Sequence, residues 1–193
     1  MLTLAAAVSE EFEIRHSRFI AHAAPVADLA ATLAFYQAVS DPDASHNCWA
    51  WRLDSGYRFN DDGEPASSAG KPILAAIEGK QLHRVMVVVT RHFGGIKLGV
   101  GGLIRAYGGS AAKCLDQGRL VEIHPTCLCR IQAGFEWTGP VHAVLEACAA
   151  TRQAEAFNPQ GLTLTVEVRL DRLRQLDTDL RNATRGSATC TRL

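Results

Sequence analysis

Two stretches of the chain bring together residues whose types could do chemistry. In "RHFGGIKLGVGGLIRAYGG", residues 91–109, seven glycines surround Arg91, Lys97 and Arg105, and no acid interrupts them. Glycine costs roughly 0.5 to 1 kcal/mol relative to alanine inside a regular element, so such density implies backbone shapes or close approaches that side chains forbid. A glycine-rich turn leading into a helix offers free N–H groups and the positive end of the helix dipole, and nearby Lys or Arg adds full charge. On that logic Arg91, Gly94, Gly95, Lys97, Gly99, Gly101, Gly102 and Arg105 form a candidate cradle for phosphate oxygens, whether of pyrophosphate or of an RNA backbone. The simpler alternative is that the glycines permit close helix–sheet packing and the cations face solvent.

The second stretch is "DDGE", in which Asp61, Asp62 and Glu64 flank Gly63. These acids could seat a divalent ion, or work with His46 as acid and base, although acids around an Asp-Gly turn also serve as solvated or capping groups. Their spacing excludes an EF-hand. A Walker loop is excluded because Lys97 is followed by Leu98 and Gly99, and a dinucleotide fingerprint starting at Gly99 would meet Ile104 where its third glycine belongs. Ser67 and Ser68 lie in a small-residue loop with no nucleophile elbow. The sequence therefore assigns no catalytic residue, no metal ligand and no cofactor.

The elements that must position these residues are readable from periodicity. Phe19, Ala21 and Ala23 alternate with Arg18, Ile20 and His22 in one or two strands between Phe12 and Pro25, and Leu29, Leu33 and Tyr36 form a helical stripe after them. "HNCWAWRL" puts Trp49, Trp51 and Leu53 on one side of a strand, with "YRFN" as its hairpin partner. "NDDGEPASSAGKP" is a loop, and Pro72 opens a helix through Glu78. "RVMVVVT" reads as a strand covered on both faces, and Leu103, Tyr107, Ala111 and Cys114 mark one stripe of the helix after the glycines. Beyond Pro125 the order is β-α-β-β-α-β, with Asp171 as candidate N-cap of the last helix; this is a ferredoxin-like unit. The expected division is 1–124 and 125–193, within an α+β class.

Equal numbers of acids and of Lys plus Arg, 20 each, exclude a uniformly basic coat and leave local patches open. Residues 80–119 carry seven cations against the single acid Asp116, whereas residues 41–64 carry six acids against Arg52 and Arg58. The six cysteines show no C-x-x-C pair and read as buried thiols of a reducing compartment. No leading positive charge precedes the apolar start and no window reaches membrane-span length, so the expectation is a cytoplasmic protein with no membrane partner.

"SRFIAHAAPV", "SHNCWAW", "DDGEPASSAGKPIL" and "VMVVVTRHFGGIKLGVGGLIRAYGG" together resemble the IMPACT family in its bacterial YigZ branch. The resemblance covers nearly the whole first half. It implies an amino-terminal α/β sandwich like the second domain of a small-subunit ribosomal protein and a carboxy-terminal domain like the last of elongation factor G. It also adds Tyr107 to the candidate surface residues and points toward RNA or the ribosome. The leading expectation is a non-enzymatic protein that binds RNA or a ribosome-associated partner, with a role in translation regulation. Arg18 and His46 would border the cleft, and sparse aromatics favour phosphate and shape recognition over sequence reading, of DNA included. Two alternatives stand beside it: an enzyme acting on a phosphorylated or small anionic substrate through Asp62, Glu64 and His46, and a protein–protein adaptor.

Overall fold

In the computed structural model, which describes residues 1–193, the chain divides into two compact units, Met1–Ile123 and His124–Leu193. The first contains, in chain order, β1 (Leu2–Leu4), β2 (Val8–Ile14), β3 (Ser17–Pro25), α1 (Leu29–Val39), β4 (His46–Leu53), β5 (Gly56–Asn60), α2 (Gly70–Gly79), β6 (Val85–His92), α3 (Val100–Gln117) and β7 (Leu120–Glu122). Five of these strands form one antiparallel sheet in the order β2-β3-β6-β4-β5.

The sequence of β6 follows from its place. It is the middle strand, and apolar layers cover both of its faces. Val85, Val87 and Val89 join the buried cluster built with α2 and α3, together with Phe19, Ala21, Ala23, Cys48 and Ala50. Met86 and Val88 point the other way and pack with Val26, Leu53, Trp49 and Trp51 against Phe35, Tyr36 and Val39 of α1. A strand buried on both sides has no polar face, so alternation disappears. Each fully buried aliphatic side chain of this kind contributes about 1.5 to 3 kcal/mol.

The stripe expected on α1 is corrected. Leu29 and Leu33 are 59% and 57% exposed, and the helix buries Thr32 while Ala31, Phe35, Tyr36 and Val39 meet the sheet. The helix is apolar nearly all round, so periodicity alone could not choose its inner face. Its start is set by Asp28, whose side chain accepts from the Ala31 N–H at 2.8 Å.

Two short strands were not legible. β1 pairs with β7 as a separate two-stranded ribbon, and the Met1 ammonium donates to the Ile123 carbonyl at 2.9 Å. Three residues are too few to display a period.

The second unit comprises β8 (Thr126–Ala133), α4 (Thr138–Ala147), β9 (Thr151–Asn158), β10 (Gly161–Arg169), α5 (Leu173–Ala183) and β11 (Thr189–Arg192). Its antiparallel sheet runs β11-β8-β10-β9, the order of the ferredoxin-like unit. Cys127, Cys129, Ile131, Leu164, Val166 and Val168 pack against Val141, Leu145, Leu176 and Leu180 from the two helices. Asp171 is not the cap of α5: it lies in a 3-10 turn, Leu170–Arg172, where it pairs with Arg169. That neighbouring guanidinium holds its carboxyl below the usual carboxylate range.

Candidate functional site

The glycine-rich segment starts inside the sheet and ends on a helix, and this splits its cations into two groups. Arg91 is the penultimate residue of β6, with Phe19 of β3 on one side and His46 of β4 on the other. It is only 5% exposed. Its Nη1 donates to Glu64 Oε1 at 2.6 Å, and the Tyr107 hydroxyl donates to the same oxygen at 2.8 Å. Nη2 lies 3.4 Å from Ser17 Oγ, which also accepts from the Gly94 N–H at 3.2 Å. The guanidinium sits between the rings of Phe19 and Phe93, with centroids 5.5 and 5.4 Å away, an arrangement that favours a cation over the ring faces. Arg91 and Tyr107 are therefore interior residues, which corrects their expected place on an exposed cradle. Burial drives the Tyr107 phenol far above its ordinary value, so it remains a donor to Glu64.

The acidic loop is likewise held by internal partners, although Asp62 itself stays exposed. Asp61 accepts from the N–H groups of Ser67, Ala69 and Gly70 at 2.8, 3.0 and 2.8 Å, so it caps the start of α2 from nine residues upstream. Asp62 Oδ2 accepts from the Asn47 N–H at 2.5 Å, and its carbonyl takes the Nδ1 proton of His46 at 2.7 Å. A Cβ on Gly63 would lie 3.4 Å from the Cε1 and Nδ1 atoms of that imidazole. His46 Nε2 stands 3.9 Å from Glu64 Oε1, too far for a hydrogen bond. No group of three or more His, Cys, Asp and Glu side chains is arranged to hold a metal ion. Cys48, beneath the loop, donates to the Asp61 carbonyl at 3.0 Å, and burial pushes its thiol up to about 12.

The second group of cations is open. Gly95 and Gly99 take φ of +85° and +70°, a region closed to most side chains, and α3 begins directly after Gly99 with no side-chain cap. The N–H groups from Gly95 to Gly102 find no partner in the protein. Of the seven cations in residues 80–119, Lys80, Arg84 and Arg91 are ion-paired with Asp116, Asp54 and Glu64, and Lys113 covers the ring of Phe12. Lys97, Arg105 and Arg119 have no acidic partner. Arg105 folds back toward the first turn of α3, where a Cβ on Gly101 would lie 3.8 Å from its Nη1.

Arg105 shares a cleft of about 270 Å³ with Arg15, Ile14, Leu98 and Gly102. Arg15 is the residue that sequence reasoning missed. It forms, with His16, a two-residue hairpin turn between β2 and β3, both at positive φ. Such turns ordinarily announce themselves by Asn-Gly or Asp-Gly, and Arg-His carries no such signal. Gly94 fixes this tip beside the segment, since a Cβ there would fall 1.8 Å from the His16 carbonyl oxygen. Arg18 does not join the cleft as a free cation: it pairs with Glu11 at 2.8 Å. Phe93, Ile96, Val100 and Ile104 are exposed along the same stretch.

The chain is similar in sequence and in fold to known proteins. Residues 15–115 match the model of the Impact N-terminal domain. The chain is 43% identical over 155 residues to an "IMPACT family member in pol 5'region" of Thermus thermophilus, covering 80% of this chain and 86% of the relative. It is 38% identical over 151 residues to the IMPACT family member YigZ of Escherichia coli K12, covering 75% and 74%. A crystal structure described as that of a hypothetical protein superposes with a TM-score of 0.79 at 32% identity, over 100% of this chain and 96% of the other. The chain belongs to the IMPACT family. No helix is long and apolar enough to cross a membrane.

Proposed function

We propose that this chain is a non-enzymatic RNA-binding protein acting at the ribosome or in translation, and that it grips phosphates at the open end of α3. One observation carries the reading: Arg15 and Arg105, neither paired with an acid, line one cleft beside N–H groups that no protein atom uses. Phosphate oxygens complement such a site in charge and in hydrogen bonding. Of the acids that an enzymatic reading would use, Glu64 is engaged by Arg91 and Tyr107, and Asp62 has one oxygen bound to Asn47. Six free thiols suit the cytoplasmic location that this role requires.

Binding to structured RNA is expected to weaken steeply with salt. Arg105→Ala and Arg15→Ala each lower affinity for all RNA sequences and flatten the log–log salt dependence by about one unit, read by fluorescence anisotropy. Unchanged affinity in both variants would end the reading.

The exposed Phe93, Ile96, Val100 and Ile104 favour a second one, in which the same segment docks on a protein. In that case Ile104→Ser abolishes capture of the partner, capture survives nuclease, and Arg105→Ala affects chiefly the association rate.

A further inference from the structure

The opposite face of the five-stranded sheet holds a different kind of site. Because α1 covers the sheet only in part, a cleft of about 460 Å³ remains, and Trp49, Trp51 and Tyr36 line it. The two tryptophans are alternate residues of β4 and so stand side by side on one face, and Tyr36 meets Trp49 edge-on at 6.3 Å. The two exposed leucines of α1 extend this apolar wall. Tyr36, Trp49 and Trp51 are each half-buried, so part of every ring is left facing the cleft.

The polar groups of the cleft are few and sit at one rim. Arg58 lies opposite Trp51 on the neighbouring strand, and Asn60 lies opposite Trp49. Arg58 makes no ion pair or hydrogen bond with the rest of the protein, although acids are plentiful in this part of the sequence. Asn60 Oδ1 accepts the Asp62 N–H at 2.7 Å, which leaves its amino group as a spare donor. Asp62 spends Oδ2 on Asn47 and keeps Oδ1 as a spare acceptor.

An apolar aromatic platform, an adjacent donor and acceptor, and an unpaired guanidinium form a specific combination. The platform suits a planar ring, the donor and acceptor suit the edge of a heterocycle, and the guanidinium suits an anionic tail. The cleft volume lies in the range of small-ligand pockets, which are mostly apolar with a few placed polar groups. We infer that the Trp49–Trp51 cleft binds a free mononucleotide, its base stacked on the tryptophans, the base edge read by Asn60 and Asp62, and its phosphate held by Arg58. This inference does not depend on the RNA reading of the α3 cleft.

Two of the three tryptophans line the cleft and Trp137 lies in the other unit, so a full-length Trp137→Phe background makes emission specific to the site. AMP, GMP and UMP are titrated separately, with calorimetry alongside. At least one is expected to bind saturably and quench emission, with affinity reduced about tenfold or more in Trp51→Ala, as for loss of a stacking platform. Arg58→Ala is expected to cost severalfold and to abolish the preference for the monophosphate over its nucleoside. Arg105→Ala is expected to leave mononucleotide binding unchanged. The inference is overturned if no monophosphate binds up to millimolar concentration, if ribose 5-phosphate binds equally well, or if only a single-stranded oligonucleotide binds. Insensitivity to Arg58→Ala together with Trp51→Phe overturns it as well, and that pair decides the matter should Trp51→Ala not fold.

Discussion

Arg91 and Arg105 belong to one glycine-rich stretch, yet the fold uses them in opposite ways. Arg91 leaves the central strand of its sheet, so both sides are occupied and its charge must be matched from within, by Glu64, with Ser17 accepting a second hydrogen bond and Tyr107 holding the Glu64 carboxylate in place. Arg105 leaves the solvent side of α3, meets no acid, and turns toward backbone N–H groups that are themselves unpartnered. The same residue type is thus a structural rivet in one place and a free positive charge in the other. Local composition could not separate them; the position of each within its element does.

Substitutions can push on either side of this contrast, and the buried side yields the largest effect. Glu64→Ala strands a guanidinium in the interior and is expected to destabilise the chain by about 3 to 5 kcal/mol in urea unfolding, whereas the double change Glu64→Leu with Arg91→Met recovers much of that loss. Gly94→Ala drives a methyl group into the His16 carbonyl and should cost about 1 to 3 kcal/mol, since backbone rather than a flexible tip has to move.

An alkaline titration probes the same interior. With Cys48 held at about 12, the folded state keeps its proton after the unfolded thiol, near 9, has lost it. Stability is therefore full below pH 9 and falls as pH rises toward 12, by at most about 1.4 kcal/mol per pH unit for this one group. Cys48→Ala is expected to flatten that decline in chemical unfolding measured at successive pH values. Asp61→Ala removes one acceptor from three N–H groups and should cost about 1 to 2 kcal/mol by the same measurement. Arg105→Ala completes the series with a stability change within about 0.5 kcal/mol, so that any loss of RNA affinity is a loss of contact and not of fold.

Much of the architecture was written in the spacing of apolar residues. The unbroken run in β6, the paired tryptophans of β4 and the element order after Pro125 could be read because each reflects a burial pattern several residues long. The helix after the glycines starts at Val100, three residues before its first stripe residue, because Gly99 turns the chain without any side-chain signal. The internal partnering of Asp61, Asp62 and Glu64 was out of reach for another reason. The partners of Asp62 and Glu64, at Asn47, Arg91 and Tyr107, come from distant elements that only the folded unit brings together, and those of Asp61 lie across a loop with no periodicity. Arg15 escaped notice because a hairpin tip of Arg-His looks, letter by letter, like the middle of a strand.

The small ribbon of β1 and β7 gives the first unit an unusual anatomy. Its opening and closing residues are stitched side by side, with Met1 and Ile123 exchanging backbone hydrogen bonds. A module whose two ends meet can be transplanted whole into a surface loop of an unrelated host, or cut elsewhere and rejoined at the seam, without stretching the fold. For the engineer, residues 1–123 are a cassette with its own clasp.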